Sequence, residues 1–434
     1  MEKLFQLKKH NTNVRTEVIG GLTTFFAMAY IIFVNPNFLS QTGMDHTAVM
    51  LATCVSAAIG CFLTAFMANV PFAQAPGMGL NAFFTYTICF GMGYTWQQGL
   101  AIVFISGLIF LAISISPIRK QIIDSIPAPL KAAISAGIGL FICLIGLLNA
   151  GIVSAGNNLL DLSSITSGPA LLALIGLIIT GILMAWKVKG ALFIGILVTT
   201  VIGIPMGVTN LSNVSISFEG ISIAPTFFKL SFVGLLSKGI LPLLTAILTF
   251  AMCDCFDTVG TLIGTAGSAG MLDENGNLPR GDKALIADAV ATCTGALMGT
   301  STVTTFVESS TGISEGARTG LSSVVVGILF LLGCVLAPIA GIIPSAATAP
   351  ALIIVGMFMI GNVAKIDWSD VEVALPCFLT IAMMPFAYSI SDGIGFGFIS
   401  YTLIKMARGK FKEVPVLLYI LSALFVVMYI LAAL

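Results

Sequence analysis

Two carboxylates stand at helical spacing in an apolar stretch of this sequence. Asp254 and Asp257 are three residues apart in the run FAMCDCFDTVGTL at 250–262. On a helix they share one face, with Cβ atoms about 5 to 6 Å apart. An ionised carboxylate in the middle of a membrane costs about 2.5 kcal/mol or more. Each must therefore find a partner, line a wet cavity or stay protonated, and all three outcomes suit a proton-coupled site.

A third acid, Glu308, lies in an interrupted apolar segment. It follows a β-branched run at 303–305, which favours an extended strand, and precedes the hydroxyl residues and glycine at 309–312, which suit a helix start. Irregular backbone at membrane depth survives only where protein or a water-filled cavity satisfies it. The sequence therefore predicts that Glu308 sits where a strand turns into a short helix.

The first half of the chain contains a matching interruption. Pro76, Gly77 and Gly79 exclude a regular helix, and Asn81 stands where a helix could begin. Helix N-termini inside a membrane present free N–H groups to a ligand. We therefore expect Asn81 and Glu308 to face each other across a central pocket.

Simpler structural roles remain open for several of these residues. Asp254 could bond only the N–H groups of a broken helix, and Asp288 could be another tie at a helix start. Phe306, two residues before Glu308, could pack in the core or stack on a planar ligand. Glu315 and Arg318 are expected to form an interfacial ion pair.

The chemistry of the predicted pocket restricts its ligand. Two carboxylates and a carboxamide accept hydrogen bonds from N–H edges, and we find no intramembrane Lys or Arg placed to neutralise an anion. A flat, neutral, N–H-rich heterocycle fits. No cofactor or bound metal is expected, because the acids are too few and too spread for a hard-cation cage.

Composition places these residues in a membrane. Of 434 residues, 57% are hydrophobic and only 9% are charged, whereas soluble domains carry about 25% charged residues. Residues 47–118, 319–364 and 414–434 contain no Asp, Glu, Lys or Arg. The net charge of zero offers no attraction for nucleic acid, and the nine cysteines lack metal or disulfide spacing.

Apolar segments and basic clusters give a topology. We count fifteen segments able to cross or half cross the membrane, of which those at 76–91 and 303–318 look broken. Basic residues cluster at Arg119 and Lys120, at Lys187 and Lys189, at Arg280 and Lys283, and at Lys405, Arg408, Lys410 and Lys412. These clusters are expected in the cytoplasm with the N-terminus.

An internal repeat is visible between the two halves. The pattern A-T-C-x-x-A-x-x-G occurs at 52–60 and again at 291–299, in each case before a broken segment. Seven segments precede residue 239, so a second copy enters from the opposite side. We predict a cytoplasmic N-terminus (1–16), a first repeat (17–207), a connecting loop (208–238) and a second repeat (239–434).

Four motifs carry a resemblance to a known family. TEVIGGLTTFFAMAYI at 16–31, APGMGLNAFF at 75–84, FDTVGTL at 256–262 and TSTVTTFVESSTG at 300–312 resemble the AzgA-like purine permeases of the nucleobase-cation symporter-2 group. The resemblance implies an all-α polytopic protein of seven plus seven inverted helices, with a core and a gate domain. It also implies that short strands of segments three and ten meet at the pocket, and that adenine, guanine or hypoxanthine enters with protons.

The same resemblance assigns roles to particular residues. Asp257, Glu308 and Asn81 stand at the family's acid positions of segments eight and ten and its polar position of segment three, and Phe306 stands where related uracil and xanthine carriers can place an aromatic, so these four are the candidates for substrate binding. Together with the carboxylates in apolar surroundings, Asp257, Glu308 and Asp254 are the candidates for proton coupling. The pattern departs at the C-terminus, where fifteen segments stand against fourteen. Either residues 371–406 form one broken element, or the end of the topology differs.

We therefore predict a multi-pass plasma-membrane transporter, not an enzyme, that imports purine bases by proton symport. Its partners are a purine base, a proton and the lipid bilayer, and a homodimer is left open. The alternatives are an anion carrier on the same fold, a passive nucleobase channel and an intramembrane enzyme. The enzyme is disfavoured because the two aspartates lie on one helix and no zinc-protease motif is present.

Overall fold

Helices make up most of the chain in the structure, a computed structural model that describes residues 2–116, 125–154, 160–163, 165–211, 221–273, 278–340 and 342–433. Arg119, Lys120 and part of the predicted connecting loop lie outside these residues. The helices are α1 Glu2–Phe5, α2 Val14–Met28, α3 Ile31–Leu39, α4 His46–Leu63, α5 Met78–Ala82, α6 Trp96–Ile115, α7 Ala128–Asn149, α8 Gly168–Ala185, α9 Ala191–Gly203, α10 Ile240–Ser268, α11 Gly281–Met298, α12 Ser309–Ser314, α13 Gly320–Gly333, α14 Ala337–Ala340, α15 Ser345–Ile360, α16 Val371–Phe386, α17 Ile390–Ala407 and α18 Val416–Ala433.

Four short strands accompany the helices. They are β1 Gln74–Pro76, β2 Val153–Ser154, β3 Asp161–Leu162 and β4 Val303–Thr305. Two π-helical stretches, Thr64–Ala68 and Phe83–Gly91, continue α4 and α5. Short 3-10 turns occupy Ser40–Thr42, Leu235–Lys238, Cys334–Leu336, Gly361–Lys365 and Phe411–Glu413.

The helices are long and apolar enough for a bilayer. Seven helical stretches of the described chain have the length and hydropathy to cross it, and four shorter apolar helices accompany them. Several begin at a side-chain cap: Asp45 accepts from the Ala48 N–H at 2.7 Å, and Thr95 forms a capping box with Gln98. The prediction of a polytopic all-α membrane protein is confirmed.

The two broken segments meet as strands. β1 pairs antiparallel with β4 in the register Gln74 to Thr305, Ala75 to Thr304 and Pro76 to Val303. The Gly77 N–H donates to the Thr302 carbonyl at 3.0 Å and extends the pairing beyond Pro76. α5 follows β1, and α12 follows β4 after a short link. Both broken segments therefore have the predicted form, although the first begins at Gln74, slightly before the predicted start.

Equivalent helices of the two halves make equivalent contacts. α4 packs against β1 and α13, while α11, which carries the second copy of the repeat motif, packs against β4 and α6. α7 and α15 pack against each other, α16 against α7, and α8 against α15. The chain is thus a seven-plus-seven inverted repeat. We call α2–α6 with α10–α13 the core, and α7–α9 with α15–α17 the gate.

The C-terminal end corrects one expectation. Residues 371–406 are two helices, α16 and α17, separated by a turn in which Tyr388 has a φ of 53°. They contact α7 as α8 and α9 contact α15, so they fill the last two positions of the second repeat. α18 is therefore a fifteenth membrane segment, additional to the fourteen of the two repeats, and it packs against α17 and α10.

An ion-pair network joins α16 and α17 at their polar ends. Glu372 accepts from Lys405 at 3.0 Å, from Arg408 at 2.8 Å and from Lys410 at 2.8 Å, and Lys405 also contacts Glu413 at 2.8 Å. The side chain of Lys405 is only 9% exposed, so its ammonium depends on these two carboxylates for compensation.

We predict that Glu372→Gln lowers the melting temperature in detergent, because it leaves Lys405 with one carboxylate partner. Lys412→Gln, an exposed change in the same region, is the matched control. The hydrogen bond from Lys405 holds the pKa of Glu413 below its usual value. The stability that the protein gains from this lowered pKa of Glu413 is complete above the ordinary glutamate pKa of about 4.3 and is lost as pH falls below it. Equal melting temperatures for the two variants would contradict the network's role.

Candidate functional site

One face of α10 is exposed. It carries Asp257, followed by Gly260, Gly264 and Gly267. A Cβ atom added at Gly260 or Gly264 would meet nothing within 4 Å. We call this exposed face, from Asp257 to Gly267, the opening.

Glu308 lies near this opening. It immediately precedes α12, it is half-buried, and its neighbour Val307 is 55% exposed. The carboxyl groups of Asp257 and Glu308 are close enough to interact electrostatically. The structure thus brings together the two acids that the sequence singled out.

Tyr30 holds Glu308 in place. Its hydroxyl donates to Glu308 Oε1 at 2.9 Å, and its side chain is 1% exposed at the break between α2 and α3. Sequence reasoning did not assign Tyr30 a role, although it lies in the first of the four family-like motifs. The sequence feature that could have identified Tyr30 is a phenolic hydroxyl within an apolar span, because such a group needs a hydrogen-bond partner.

Asn81 is placed differently from the expectation. It is fully buried, its Oδ1 accepts from the Ser301 hydroxyl, and its Nδ2 donates weakly to the Pro76 carbonyl at 3.5 Å. Among the described residues no hydrogen bond joins Asn81 to Glu308. The carboxamide instead ties α5 to the chain before β4.

Phe306 is buried beside the strands. Its side chain is 6% exposed and belongs to the large apolar core, while its N–H donates to the Ala73 carbonyl at 3.0 Å. In this conformation the ring packs in the core. Stacking on a planar ligand stays a prediction.

Asp254 ties two core helices together. It is 2% exposed, and its Oδ2 accepts from the Thr292 hydroxyl of α11 at 2.8 Å. The same hydroxyl lies 2.9 Å from the Val303 carbonyl of β4. Its Oδ1 has no partner among the described residues. Asp254 is thus bonded to a side chain, and not to the N–H groups of a broken helix.

Asp288 links both strands to α11. Its Oδ1 accepts from Gln74 Nε2 of β1 at 3.1 Å and from the Thr305 hydroxyl of β4 at 2.7 Å. It lies in the middle of α11, so the expectation of a tie at a helix start was wrong about its position. Neither Gln74 nor this double link was predicted, because the bond from Gln74 joins positions 214 residues apart along the chain.

The expected pair of Glu315 and Arg318 does not form. Glu315 pairs with Lys189 at 2.7 Å, and Arg318 Nη1 donates to the carbonyls of Ile313 and Ala317, each at 2.7 Å. Arg318 thus donates to carbonyls at and just beyond the C-terminal end of α12, where a cation is favourable. Lys189 lies between α8 and α9, so its pair with Glu315 joins the gate to the core.

A gate cation lies against α10. Lys131 Nζ of α7 sits 5.1 Å from the centre of the ring of Phe256, the residue that precedes Asp257. The sequence interpretation had placed no cation there. Among the described residues, no cluster of three or more His, Cys, Asp or Glu side chains could hold a metal ion.

This arrangement is suited to binding and not to bond cleavage. Two carboxylates face the opening beside the paired strands β1 and β4, and the helices that follow these strands begin from opposite sides. One of the carboxylates, Glu308, accepts a hydrogen bond from the phenol of Tyr30. Such groups accept hydrogen bonds from a ligand and can hold protons.

Comparison with known proteins gives relatives along nearly the whole chain. The chain is 47% identical over 431 residues to a putative permease of Methanocaldococcus jannaschii, covering 99% of this chain and 98% of that protein. It is 45% identical over 440 residues to a guanine/hypoxanthine permease of Bacillus subtilis, covering 99% of each. It is 41% identical over 429 residues to an adenine permease of Escherichia coli, covering 98% and 95%.

Solved structures share the architecture at low identity. The transmembrane domain of a cyanobacterial bicarbonate transporter aligns with a TM-score of 0.68 at 17% identity, covering 88% of this chain and 97% of that one. A murine solute carrier 26 anion transporter in the inward-facing state aligns with a TM-score of 0.67 at 10% identity, covering 91% and 68%. At these identities the likeness shows the fold alone.

A family model described as the permease family matches residues 15–396. Such proteins are transporters, which excludes the intramembrane enzyme. With the four motifs, the relatives and the shared fold, the chain belongs to the permease family and, within it, to the AzgA-like group.

Proposed function

We propose that this chain imports purine nucleobases by proton symport. The observation that carries the proposal is the approach of Asp257 and Glu308 at the opening beside the paired strands, with Tyr30 bonded to Glu308. The printed names of relatives at 41% and 45% identity, an adenine and a guanine/hypoxanthine permease, support a purine as the ligand.

Recognition would rest on hydrogen-bond acceptors. A purine presents N–H groups along its edge, and carboxylate oxygens of Asp257 and Glu308 accept them. The ring is flat and uncharged, so it needs no buried cation. Phe306 and Asn81 remain candidates for contact with the base, although both are buried in this conformation and would have to become accessible.

Proton coupling would follow from the cost of buried charge. A carrier that closes around a neutral base with two ionised acids pays several kcal/mol for unpaired charge. Protonation of Asp257 or Glu308 removes that cost, and Asp254, whose Oδ1 lacks a partner among the described residues, is the third candidate. One proton per purine is therefore the proposed ratio.

Two other functions stay alternatives. An anion carrier is supported by the solved structures that share the fold, among them a bicarbonate and an anion transporter. The acids at the opening oppose it, because they repel an anion, while Lys131, which lies over the Phe256 ring, belongs to the gate. A passive channel would need no coupling acid.

The side, location and assembly are further proposals. The basic residues favour a cytoplasmic N-terminus and a cytoplasmic loop between α8 and α9, and the proposed location is the plasma membrane. The matching contacts of the two halves support repeats at 17–207 and 239–434 joined by the loop at 208–238. A homodimer stays a prediction.

We predict that Asp257→Asn and Glu308→Gln each reduce concentrative uptake of labelled hypoxanthine to background in a transport-deficient cell. Each amide keeps the size of the side chain but loses the charge and the titratable proton. Asp282→Asn, at an exposed acid of α11, is the control and should transport normally. Normal accumulation by either site variant, at equal amounts of membrane protein, would remove that residue from the mechanism.

We also predict that uptake rises as external pH falls from neutral to mildly acidic, and that a protonophore collapses accumulation. Protonation from outside loads the carrier, so a lower external pH favours the loaded state. Sodium should be unnecessary. Accumulation in vesicles that follows a sodium gradient, and survives loss of the proton gradient, would refute the coupling but leave the base-binding assignment intact. Uptake that only equilibrates and ignores protonophores would indicate the channel.

Movement of the core against the gate, by elevator or rocking motion, can be tested at the Lys189 and Glu315 pair. We predict that Lys189→Cys with Glu315→Cys, joined by a cleavable bifunctional thiol reagent, loses uptake and regains it after reduction. The native cysteines that react are first replaced. Each single cysteine variant treated with the same reagent is the control. Full uptake by the cross-linked protein would show that the two parts do not separate there.

A further inference from the structure

A cavity of about 440 Å³ lies at the polar end of the core, apart from the opening beside Asp257. Its lining includes Lys9, His10, Asn69, Arg280 and Arg318. These residues come from the segment before α2, the link after α4, the link between α10 and α11, and the link between α12 and α13. No gate helix contributes to the lining, so the cavity does not lie on a path between core and gate.

The lining is rich in cations. Lys9, Arg280 and Arg318 contribute positive charge, and the described lining residues include no Asp or Glu. Within the described part of the chain, none of these three side chains forms an ion pair with a carboxylate. Uncompensated positive charge around a concave space favours a bound anion.

The pKa of His10, which also lines the cavity, is shifted by burial and by the same positive charges. Burial lowers the pKa of His10 first, and repulsion from Lys9 and Arg280 lowers it further, against a smaller opposing effect of Glu17. Glu17 cannot neutralise the cavity well, because its carboxylate accepts from the N–H groups of Arg318 at 2.8 Å and of Thr319 and Ser322 at 3.3 Å. The lining is therefore positive, and the carboxylate of Glu17 is already engaged.

The walls are held by buried polar contacts. Asn69 donates to the Phe5 carbonyl at 3.0 Å and accepts from the Gly320 N–H at 2.9 Å, joining the N-terminal segment to the start of α13. Glu17 fixes the neighbouring turn through its three backbone bonds. A site whose walls are fixed before binding loses less entropy on binding.

We propose that this cavity binds a phosphate-bearing anion larger than inorganic phosphate. Arginine is suited to phosphate because its planar guanidinium donates paired hydrogen bonds, and Lys9 adds a point charge. The volume lies within the range of about 300 to 1,000 Å³ that holds small organic ligands. A free phosphorylated metabolite or the headgroup of an anionic lipid supplies this chemistry. Neither the proposed cargo nor the coupling is needed for the site.

The test uses the full chain purified in detergent and titrated with guanosine monophosphate, with binding followed by thermal shift and calorimetry. Guanosine at the same concentrations is the neutral control. We expect saturable binding of the nucleotide and none of guanosine. Arg280→Gln and Lys9→Gln should each weaken the affinity about tenfold through loss of a charge-assisted bond. Both side chains are exposed, so the variants should fold.

Matched variants locate the site. Lys283→Gln removes an exposed charge close to Arg280 but outside the lining, and Asp257→Asn alters the opening on α10; both should bind the nucleotide as the original protein does. Loss of binding in Asp257→Asn would place the nucleotide at the transport opening and overturn the proposal. Equal binding by Arg280→Gln, Lys9→Gln and the original protein would overturn it as well.

Two further experiments distinguish a lipid headgroup from a free phosphorylated metabolite as the source of the phosphate. The chain is placed in nanodiscs of phosphatidylcholine with and without phosphatidylglycerol, and inorganic phosphate is titrated in detergent. Stabilisation by phosphatidylglycerol that Arg280→Gln removes, without nucleotide binding, would support the site with a lipid headgroup as its ligand. Inorganic phosphate that binds as tightly as the nucleotide would overturn the size requirement. No response to any of the three probes would overturn the site.

Discussion

The pairing of β1 with β4 is the interaction on which the rest of the structure depends. Inside a bilayer no water is available to bond the free backbone N–H and C=O groups of a broken helix. Each interrupted segment must therefore supply hydrogen-bond partners for the other. Three residue pairs and the flanking bonds of Gly77 and Phe306 do so. The crossing in turn fixes where α5 and α12 begin, and with them the position of Glu308.

Side chains of α10 and α11 then secure the crossing from one side. Asp288 reaches both strands, Thr292 joins β4 to Asp254, and the hydroxyls of Thr258 and Thr304 lie 2.9 Å apart. Acids that support the strands and acids that face the opening therefore belong to one connected group. Its members differ in exposure: Asp288 is sealed between helices, and Asp257 is not.

Local sequence predicted the parts of this arrangement that have local causes. The β-branched run at 303–305 predicted the second strand, and Pro76 and Gly77 predicted the first interruption, whose strand form came from the family resemblance. Unusual acids in apolar runs pointed to Asp257 and Glu308. Contacts made across the fold were not predictable from one sequence. The Tyr30 bond to Glu308, the Gln74 bond to Asp288 and the Lys189 pair with Glu315 all join distant positions whose approach only the assembled helices determine.

The open face of α10 has a thermodynamic consequence. Glycine within a helix costs about 0.5 to 1 kcal/mol relative to alanine, and nothing in the packing requires glycine at Gly260 or Gly264. An alanine at either position would strengthen the helix and at the same time project a methyl group into the opening. Along this face, higher thermal stability and a wider opening require different residues. Selection for heat resistance alone would therefore favour alanine at these positions and a narrower opening.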